Sequence, residues 1–150
     1  SASRLSNPQL SGATSFGALA GYLFGKNDEE TAMKMTTPVL SEGEGTERKM
    51  SFVLPSDYWT EEAKAPKPLS DSAVKVTTVD GCERAVLAFG GFGRKGEVDN
   101  KSQKLREMLE SQKEWRAVAD SPVMLAQYND PFTPPWKRRN EVSILVEPRQ

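Results

Sequence analysis

The side chains on which most hydrolytic enzymes and metal sites depend are scarce in this sequence. It contains no histidine and a single cysteine, Cys82. Without histidine, Ser-His-Asp and Cys-His catalysis, histidine zinc sites and the commonest axial ligand of haem are all excluded. One cysteine can form neither an intrachain disulfide nor a thiolate metal cluster. Because no motif points to carboxylate or lysine chemistry either, the residues predict a binding protein and not an enzyme.

Two sets of apolar side chains are candidates for a binding surface. One recurs at the 3,4 spacing of a single helix face, which is typical of core packing and also suits a ligand wall. Its members are Phe16, Leu19, Ala20 and Leu23. The other set is Met33 and Met35, which would face the same side of a strand. Their thioethers either fill an irregular core or contact a ligand.

A proline-rich segment in the last quarter of the chain combines aromatic and basic residues. These residues are Phe132, Trp136, Lys137, Arg138 and Arg139. As a stiff lid, the segment would bring arginines to a ligand carboxylate, which arginine binds in a bidentate manner. Alternatively, one arginine pairs with Glu141 or with a carbonyl group and organises the turn. The sequence leaves both interpretations open.

Charge and hydropathy argue against two classes of function. The 20 basic and 21 acidic side chains give a net charge of −1, whereas non-specific nucleic-acid binding needs a basic excess. The longest apolar run, residues 16–24, is shorter than the roughly 20 residues that span a bilayer. It is also interrupted by Gly17 and Gly21. We expect no nucleic-acid partner and no membrane span.

Hydrophobic periodicity predicts two helices among short strands. Residues 1–15 are polar and are interpreted as a flexible leader, followed by a single domain over residues 16–150. A short helix capped by Thr14 or Ser15 is expected to end at Gly25, and a longer amphipathic helix covers residues 98–113. The predicted strands are residues 33–37, 49–54, 74–78, 84–89, 123–127 and 141–146.

This order of elements favours an α+β fold with a mainly antiparallel sheet and helices on its surfaces. The two halves are interpreted as strand-helix-strand-strand repeats, although no repeat is visible in the residues themselves. The first repeat then lacks its opening strand. An absent strand would leave an open sheet edge, which a protein partner could cover.

Three segments, in this order and spacing, resemble the SOUL haem-binding family, especially its plant and algal chloroplast members. They are residues 19–27 (LAGYLFGKN) with 33–39 (MKMTTPV), residues 49–58 (KMSFVLPSDY), and residues 126–142 (AQYNDPFTPPWKRRNEV). The resemblance implies a distorted antiparallel β-barrel or sheet built from two repeats with flanking helices. It also implies non-catalytic binding or carriage of haem or another tetrapyrrole in a hydrophobic surface cleft. The implied location is the chloroplast, in the stroma or at the thylakoid; a scaffold subunit of a larger plastid assembly is the alternative.

The same resemblance turns the apolar and basic residues into candidate tetrapyrrole contacts. A tetrapyrrole is a flat apolar disc with anionic propionates, so its site needs an apolar wall and a basic rim. The candidates are Phe16, Leu19, Ala20, Leu23, Met33, Met35, Phe132, Trp136, Arg138 and Arg139. The resemblance implies that Ala13, Gly21 and Thr133 correspond to positions at which the animal haem-binding member of the family carries basic propionate contacts. We therefore expect weak binding of haem without a histidine ligand, or binding of a different tetrapyrrole.

Overall fold

The computed structural model of the protein describes residues 2–7, 12–43, 48–59 and 65–150, with side chains from Ser15 onward. The chain divides into two compact units, which we call the N-unit (Ser1–Gly81) and the C-unit (Cys82–Gln150). Each unit has its own cluster of buried apolar side chains.

The described residues of the N-unit form one α-helix and four strands. They are β1 (Ala2–Asn7), α1 (Gly12–Leu23), β2 (Val39–Glu42), β3 (Lys49–Val53) and β4 (Lys75–Val79). The strands pair antiparallel in the spatial order β4-β1-β3-β2. The core of the unit consists of Leu19, Tyr22, Leu23, Met33, Phe52, Leu54 and Val74.

The opening strand of the first repeat, predicted to be missing, is present as β1. It pairs with β3 on one side, where Leu5 lies opposite Phe52, and with β4 on the other. The prediction was wrong because a strand can be held by backbone hydrogen bonds on both edges even when its sequence lacks apolar alternation. β1 and the start of α1 lie inside residues 1–15, the predicted leader, of which residues 1 and 8–11 are outside the described residues.

The strand predicted at residues 33–37 is an irregular stretch with a bend at Thr37. The backbone N–H of Met33 donates to the carbonyl of Leu23, 2.6 Å away, which returns the chain to the end of α1. Buried Asn27 holds the intervening turn with its side-chain amide. The two methionines therefore do not face the same side: Met33 is buried in the core, whereas Met35 is 40% exposed.

The described residues of the C-unit form one α-helix and four strands. They are β5 (Arg84–Phe89), α2 (Lys95–Ser111), β6 (Trp115–Ala117), β7 (Met124–Gln127) and β8 (Asn140–Pro148). β8 is the central strand and pairs antiparallel with β5, β6 and β7. Helix α2 packs Leu105 and Leu109 against Leu125, Val142 and Ile144 of the sheet.

The observed element order confirms the α+β fold with two helices and an antiparallel sheet. Each unit runs strand, helix and then three strands, so the strand predicted at residues 74–78 belongs to the first repeat and not to the second. The described strands form an open order and do not close on themselves, so the barrel part of the prediction is wrong. The three-residue strand β6 was not predicted because it is too short to show a period.

Candidate functional site

Helix α1 has one buried face and one uncharged exposed face. The helix contains no charged residue at all. Its inner face carries Leu19, Tyr22 and Leu23, which have almost no exposed surface. Phe16 points outward from the helix and is 41% exposed, and Phe24, which directly follows its last residue and donates its N–H to the carbonyl of Ala20, is 66% exposed. Because surface helices normally turn charged side chains to the solvent, an exposed face without them is a candidate binding surface.

The outward residues form a flat patch, which we call the α1 outer face. Its members are Phe16, Gly17, Ala20, Gly21 and Phe24. Phe16, Ala20 and Phe24 are spaced four residues apart and therefore follow one row along the helix. The glycines lie beside this row, and a Cβ atom added at Gly17 would have no atom within 4 Å. The patch thus has an aromatic ring near each end and small residues between them.

Two contacts fix the edges of the α1 outer face. The ring of Phe16 packs edge-to-face on the buried ring of Phe52, with 5.5 Å between centroids, so one side of Phe16 is anchored while the other is exposed. The side-chain stem of Lys26 lies over Gly21, with its Cδ atom 3.2 Å from the position that a Cβ atom would take. An ammonium group is thereby attached to the rim of an otherwise uncharged surface.

The structure separates the four members of the predicted helix stripe. Phe16 and half-buried Ala20 lie on the α1 outer face, whereas Leu19 and Leu23 are in the core of the N-unit with no exposed surface. A ligand on this surface would contact the first pair and not the second. The stripe did not include Phe24, although its position eight residues after Phe16 continues the same helical row.

Tyr22 is held as a buried, protonated phenol below this surface. Its hydroxyl donates a hydrogen bond to the carbonyl of Pro66. Burial, followed by the charges of Tyr58 and Asp28, raises its pKa from 10.0 to about 12. An iron ligand of the tyrosine type requires a phenolate that reaches the metal. Tyr22 is therefore a structural residue and offers no such ligand.

We expect the Tyr22→Phe variant to lose less of its free energy of unfolding at alkaline pH than wild type does. Since the folded pKa of about 12 exceeds the ordinary 10.0, the unfolded chain releases this proton first as the pH rises. The contribution of Tyr22 to stability is then complete below pH 10 and is lost as the pH approaches 12. Urea unfolding across this range should show wild type losing stability relative to Tyr22→Phe. If the difference in unfolding free energy between wild type and Tyr22→Phe did not change with pH, the raised pKa of Tyr22 would be contradicted.

In the C-unit, the proline loop (residues 130–137) projects two aromatic side chains from the surface. Phe132 is 94% and Trp136 is 82% exposed. Arg138 donates from one guanidinium nitrogen to the carbonyls of Asp130 and Thr133, both at 2.9 Å. These contacts hold the loop in shape, as one of the two interpretations of the sequence predicted.

The neighbouring arginine and asparagine also make internal contacts. Arg139 forms a 2.6 Å ion pair with Glu141, the residue to which Tyr128 donates a hydrogen bond. Partial burial and this bond raise the pKa of Tyr128, so its hydroxyl also stays protonated. Buried Asn140 donates to the carbonyls of Gly90 and Gly91, at 3.4 and 2.7 Å. The side chains of this region thus serve mainly to order the loops.

A small cavity in the C-unit lies between α2 and the sheet. It encloses about 250 Å³ and is lined by Arg84, Leu109, Trp115 and Val146 among others. This is below the roughly 300–1,000 Å³ of ordinary ligand pockets, so the cavity does not enclose a porphyrin ring.

The described parts of the chain contain neither a membrane-spanning helix nor a group of metal-ligating side chains. None of its helices is long and apolar enough to cross a bilayer. Among the same residues, no three histidine, cysteine, aspartate or glutamate side chains are grouped so that they could hold a metal ion.

Comparison with known proteins supports both the family and the fold. A family model described as SOUL heme-binding protein matches residues 2–145. Among solved structures, the chain is similar to the crystal structure of a hydrolase from Listeria innocua, with a TM-score of 0.65 and 14% sequence identity. The alignment covers 97% of this chain and 87% of that one. At this identity the likeness shows the fold alone. No curated protein matches the sequence.

Proposed function

Because the chain belongs to the SOUL heme-binding family, we propose that it binds haem or another tetrapyrrole on the α1 outer face and releases it chemically unchanged. The observation that carries this proposal is the uncharged, partly aromatic exposed face of α1. Family membership supports tetrapyrrole binding in general. The geometry of this face supports the α1 outer face as the proposed position of the ring.

The shape of the α1 outer face suits a flat apolar ring. Phe16 and Phe24 are eight residues apart, which corresponds to about 12 Å along a helix, comparable with the width of a porphyrin. Between them, Gly17 and Ala20 keep the surface low, so a ring could approach the helix backbone. Aromatic side chains prefer offset-stacked or edge-to-face contacts with other rings. Binding would therefore rest on burial of apolar area.

The iron of haem would receive little help from the described side chains. The sequence contains no histidine, and Tyr22 and Tyr128 are both hydrogen-bonded and kept protonated. Met35 is the exposed thioether of the predicted methionine pair and is at most a weak ligand. The affinity for haem would therefore come mainly from contacts with its ring and propionates and less from ligation of its iron. We therefore expect affinities for iron and magnesium porphyrins within about tenfold, or about 1.4 kcal/mol, of each other.

Lys26 is the side chain best placed to meet a propionate. Its stem covers Gly21, which by the resemblance corresponds to a basic position of the animal haem-binding member of the family. A lysine that reaches over the glycine could supply the missing positive charge from five residues further along the chain. Such a charged contact at a solvent-exposed rim contributes about 1 kcal/mol or less, so Lys26 would orient the ring more than hold it.

The test is a titration of the protein with haem and with Mg-protoporphyrin, followed by absorbance and fluorescence quenching. We expect saturable binding to wild type at micromolar concentrations, and at least tenfold weaker binding to Gly17→Asp. This variant places a carboxylate on the exposed face, where nothing lies within 4 Å to strain the fold. The charge would have to lose its water beneath an apolar ring, which is unfavourable.

The matched control is Gly96→Asp, because Gly96 is an exposed helix glycine of α2 that also has nothing within 4 Å. It should bind like wild type, and the recovered porphyrin should be unaltered in mass. An absence of binding to wild type, or equal binding to the two variants, would contradict the proposal.

A scaffold subunit of a plastid assembly is the second candidate, although a missing first strand no longer supports it. The supposedly open sheet edge is occupied by β1, which pairs on both sides. Location in the chloroplast is proposed on the likeness of the three sequence segments to plastid members. Imaging of a fluorescent fusion of the full-length protein checks it.

A further inference from the structure

We propose that the proline loop docks on the surface of an anionic lipid bilayer, with Phe132 and Trp136 entering the interface. The proposal is independent of tetrapyrrole binding and concerns the C-unit. Side chains exposed to 94% and 82% of their surface project beyond their surroundings. Burying each aromatic would remove about 150–250 Å² from water. Exposed apolar surface of this kind on an ordered loop marks an interaction site.

The proline loop has an ordered conformation in the absence of a partner. Asp130 accepts hydrogen bonds from the Phe132 N–H and the Thr133 hydroxyl, at 2.8 and 3.2 Å. Arg138 binds two loop carbonyls from the inside. Three prolines, Pro131, Pro134 and Pro135, further restrict the backbone. Because the loop is already ordered, docking would lose little conformational entropy.

The charges around the loop favour an anionic surface. Lys137 follows Trp136 directly, and the guanidinium of Arg138 lies 4.9 Å from the centre of the Phe92 ring. Arg94 lies on the same ring at 5.8 Å. Arg138 is hydrogen-bonded to neutral carbonyls, so its positive charge is not cancelled by a carboxylate in those contacts. Arg138 and Arg94 therefore share one ring beside the proline loop, and with Lys137 they form a positively charged cluster.

Two acidic groups of the C-unit are paired with basic side chains. Glu141 is paired with Arg139 at 2.6 Å, and Asp99 is paired with Lys95 at 2.7 Å. Asp130 accepts hydrogen bonds from neutral groups of the loop and keeps its negative charge, which the three basic side chains of the cluster outnumber. Basic residues beside an anionic bilayer contribute about 1 kcal/mol each. Local charge thus complements phosphate headgroups.

A lipid surface fits this arrangement better than a protein groove. Both aromatics project from the tip, and a fluid bilayer can admit them without a preformed pocket. Tryptophan is enriched at the headgroup level of membranes, where its ring is half in apolar and half in polar surroundings. An apolar tip flanked by basic residues is the pattern of proteins that lie on a membrane and do not cross it.

The test is co-sedimentation of the ligand-free protein with phosphatidylcholine vesicles, with and without phosphatidylglycerol. We expect binding to the anionic vesicles, weakened at least tenfold by Phe132→Ser with Trp136→Ser and weakened by added salt. Both positions are exposed, so the variant should keep its fold, which circular dichroism checks. Met108→Ser is the control, because it removes an exposed apolar side chain of α2 that belongs to neither site and should leave vesicle binding unchanged.

Tryptophan emission supplies a second measurement. A blue shift on vesicle addition that is absent from Trp136→Phe is expected if this ring enters the interface. An absence of vesicle binding by wild type would overturn the proposal, as would equal binding by the double variant. Concentration-dependent dimerisation that the double variant abolishes, without binding to vesicles, would instead assign the loop to contact between copies of the chain.

Discussion

Substituting Leu19 with aspartate is expected to unfold the N-unit and not merely to weaken ligand binding. Leu19 has no exposed surface and packs with Leu23 and Phe52. A carboxylate there would have no partner in an apolar cluster, at an effective cost of several kcal/mol. The loss of leucine packing adds about 2–5 kcal/mol, by analogy with leucine-to-alanine changes. Together these costs rival the roughly 5–15 kcal/mol by which a domain is stable.

The measurement is thermal unfolding followed by near-ultraviolet circular dichroism, with Gly17→Asp as the control. Gly17 is two residues away on the exposed side of the same helix, so its aspartate should be tolerated. We expect a cooperative transition for Gly17→Asp and none, or a strongly lowered one, for Leu19→Asp. If Leu19→Asp folded normally and lost only tetrapyrrole binding, Leu19 would be a ligand contact and its placement in the core would be wrong.

This contrast shows how far the sequence could locate the site. The 3,4 spacing correctly predicted a helix. The four residues of that spacing, however, lie partly on the buried face of α1 and partly on its exposed face. The solvent side of a helix is usually marked by charge, and α1 has none. Which apolar residues face inward was therefore decided only by packing against Phe52 and the rest of the core.

The C-unit was predicted more closely because its sequence carries stronger signals. Strand β5 was predicted at its observed bounds, Arg84–Phe89. Helix α2 begins three residues before its predicted start, and its many charged residues mark the exposed side. The proline loop was also found from composition. Its partners could not be predicted, because the contacts of Arg138 are made to backbone carbonyls, which every residue possesses.

The N-unit also depends on hydrogen bonds that no sequence pattern reveals, and Asn27 is the main example. It is buried, and its side-chain nitrogen donates to the carbonyls of Tyr22 and Thr31 at 3.0 and 2.8 Å. Its side-chain oxygen accepts from the N–H groups of Glu29 and Thr31 at 3.2 and 3.1 Å. One side chain thus ties the end of α1 to the turn that returns Met33 to the core.

Replacing Asn27 by alanine is expected to lower the free energy of unfolding by about 3 kcal/mol or more. Each buried backbone group left without a partner costs about 1–3 kcal/mol, and this change removes the partner of several at once. Urea unfolding measures the loss. Asn100→Ala, at an exposed position of α2, is the matched control and should change stability by less than about 0.5 kcal/mol.

Asn27→Asp separates the donor half of this network from the acceptor half. An ionised aspartate can still accept from the two N–H groups, but it faces two carbonyl oxygens without a proton to donate. Protonation would restore one donor, so the pKa of this aspartate should be raised in the folded state above the ordinary value of about 3.9. Its destabilising effect should therefore shrink as the pH falls towards that value and grow as the pH rises through the folded pKa. If Asn27→Asp were equally destabilising at all pH values, the two carbonyl contacts would not carry the effect, and the turn would be held by its N–H groups alone.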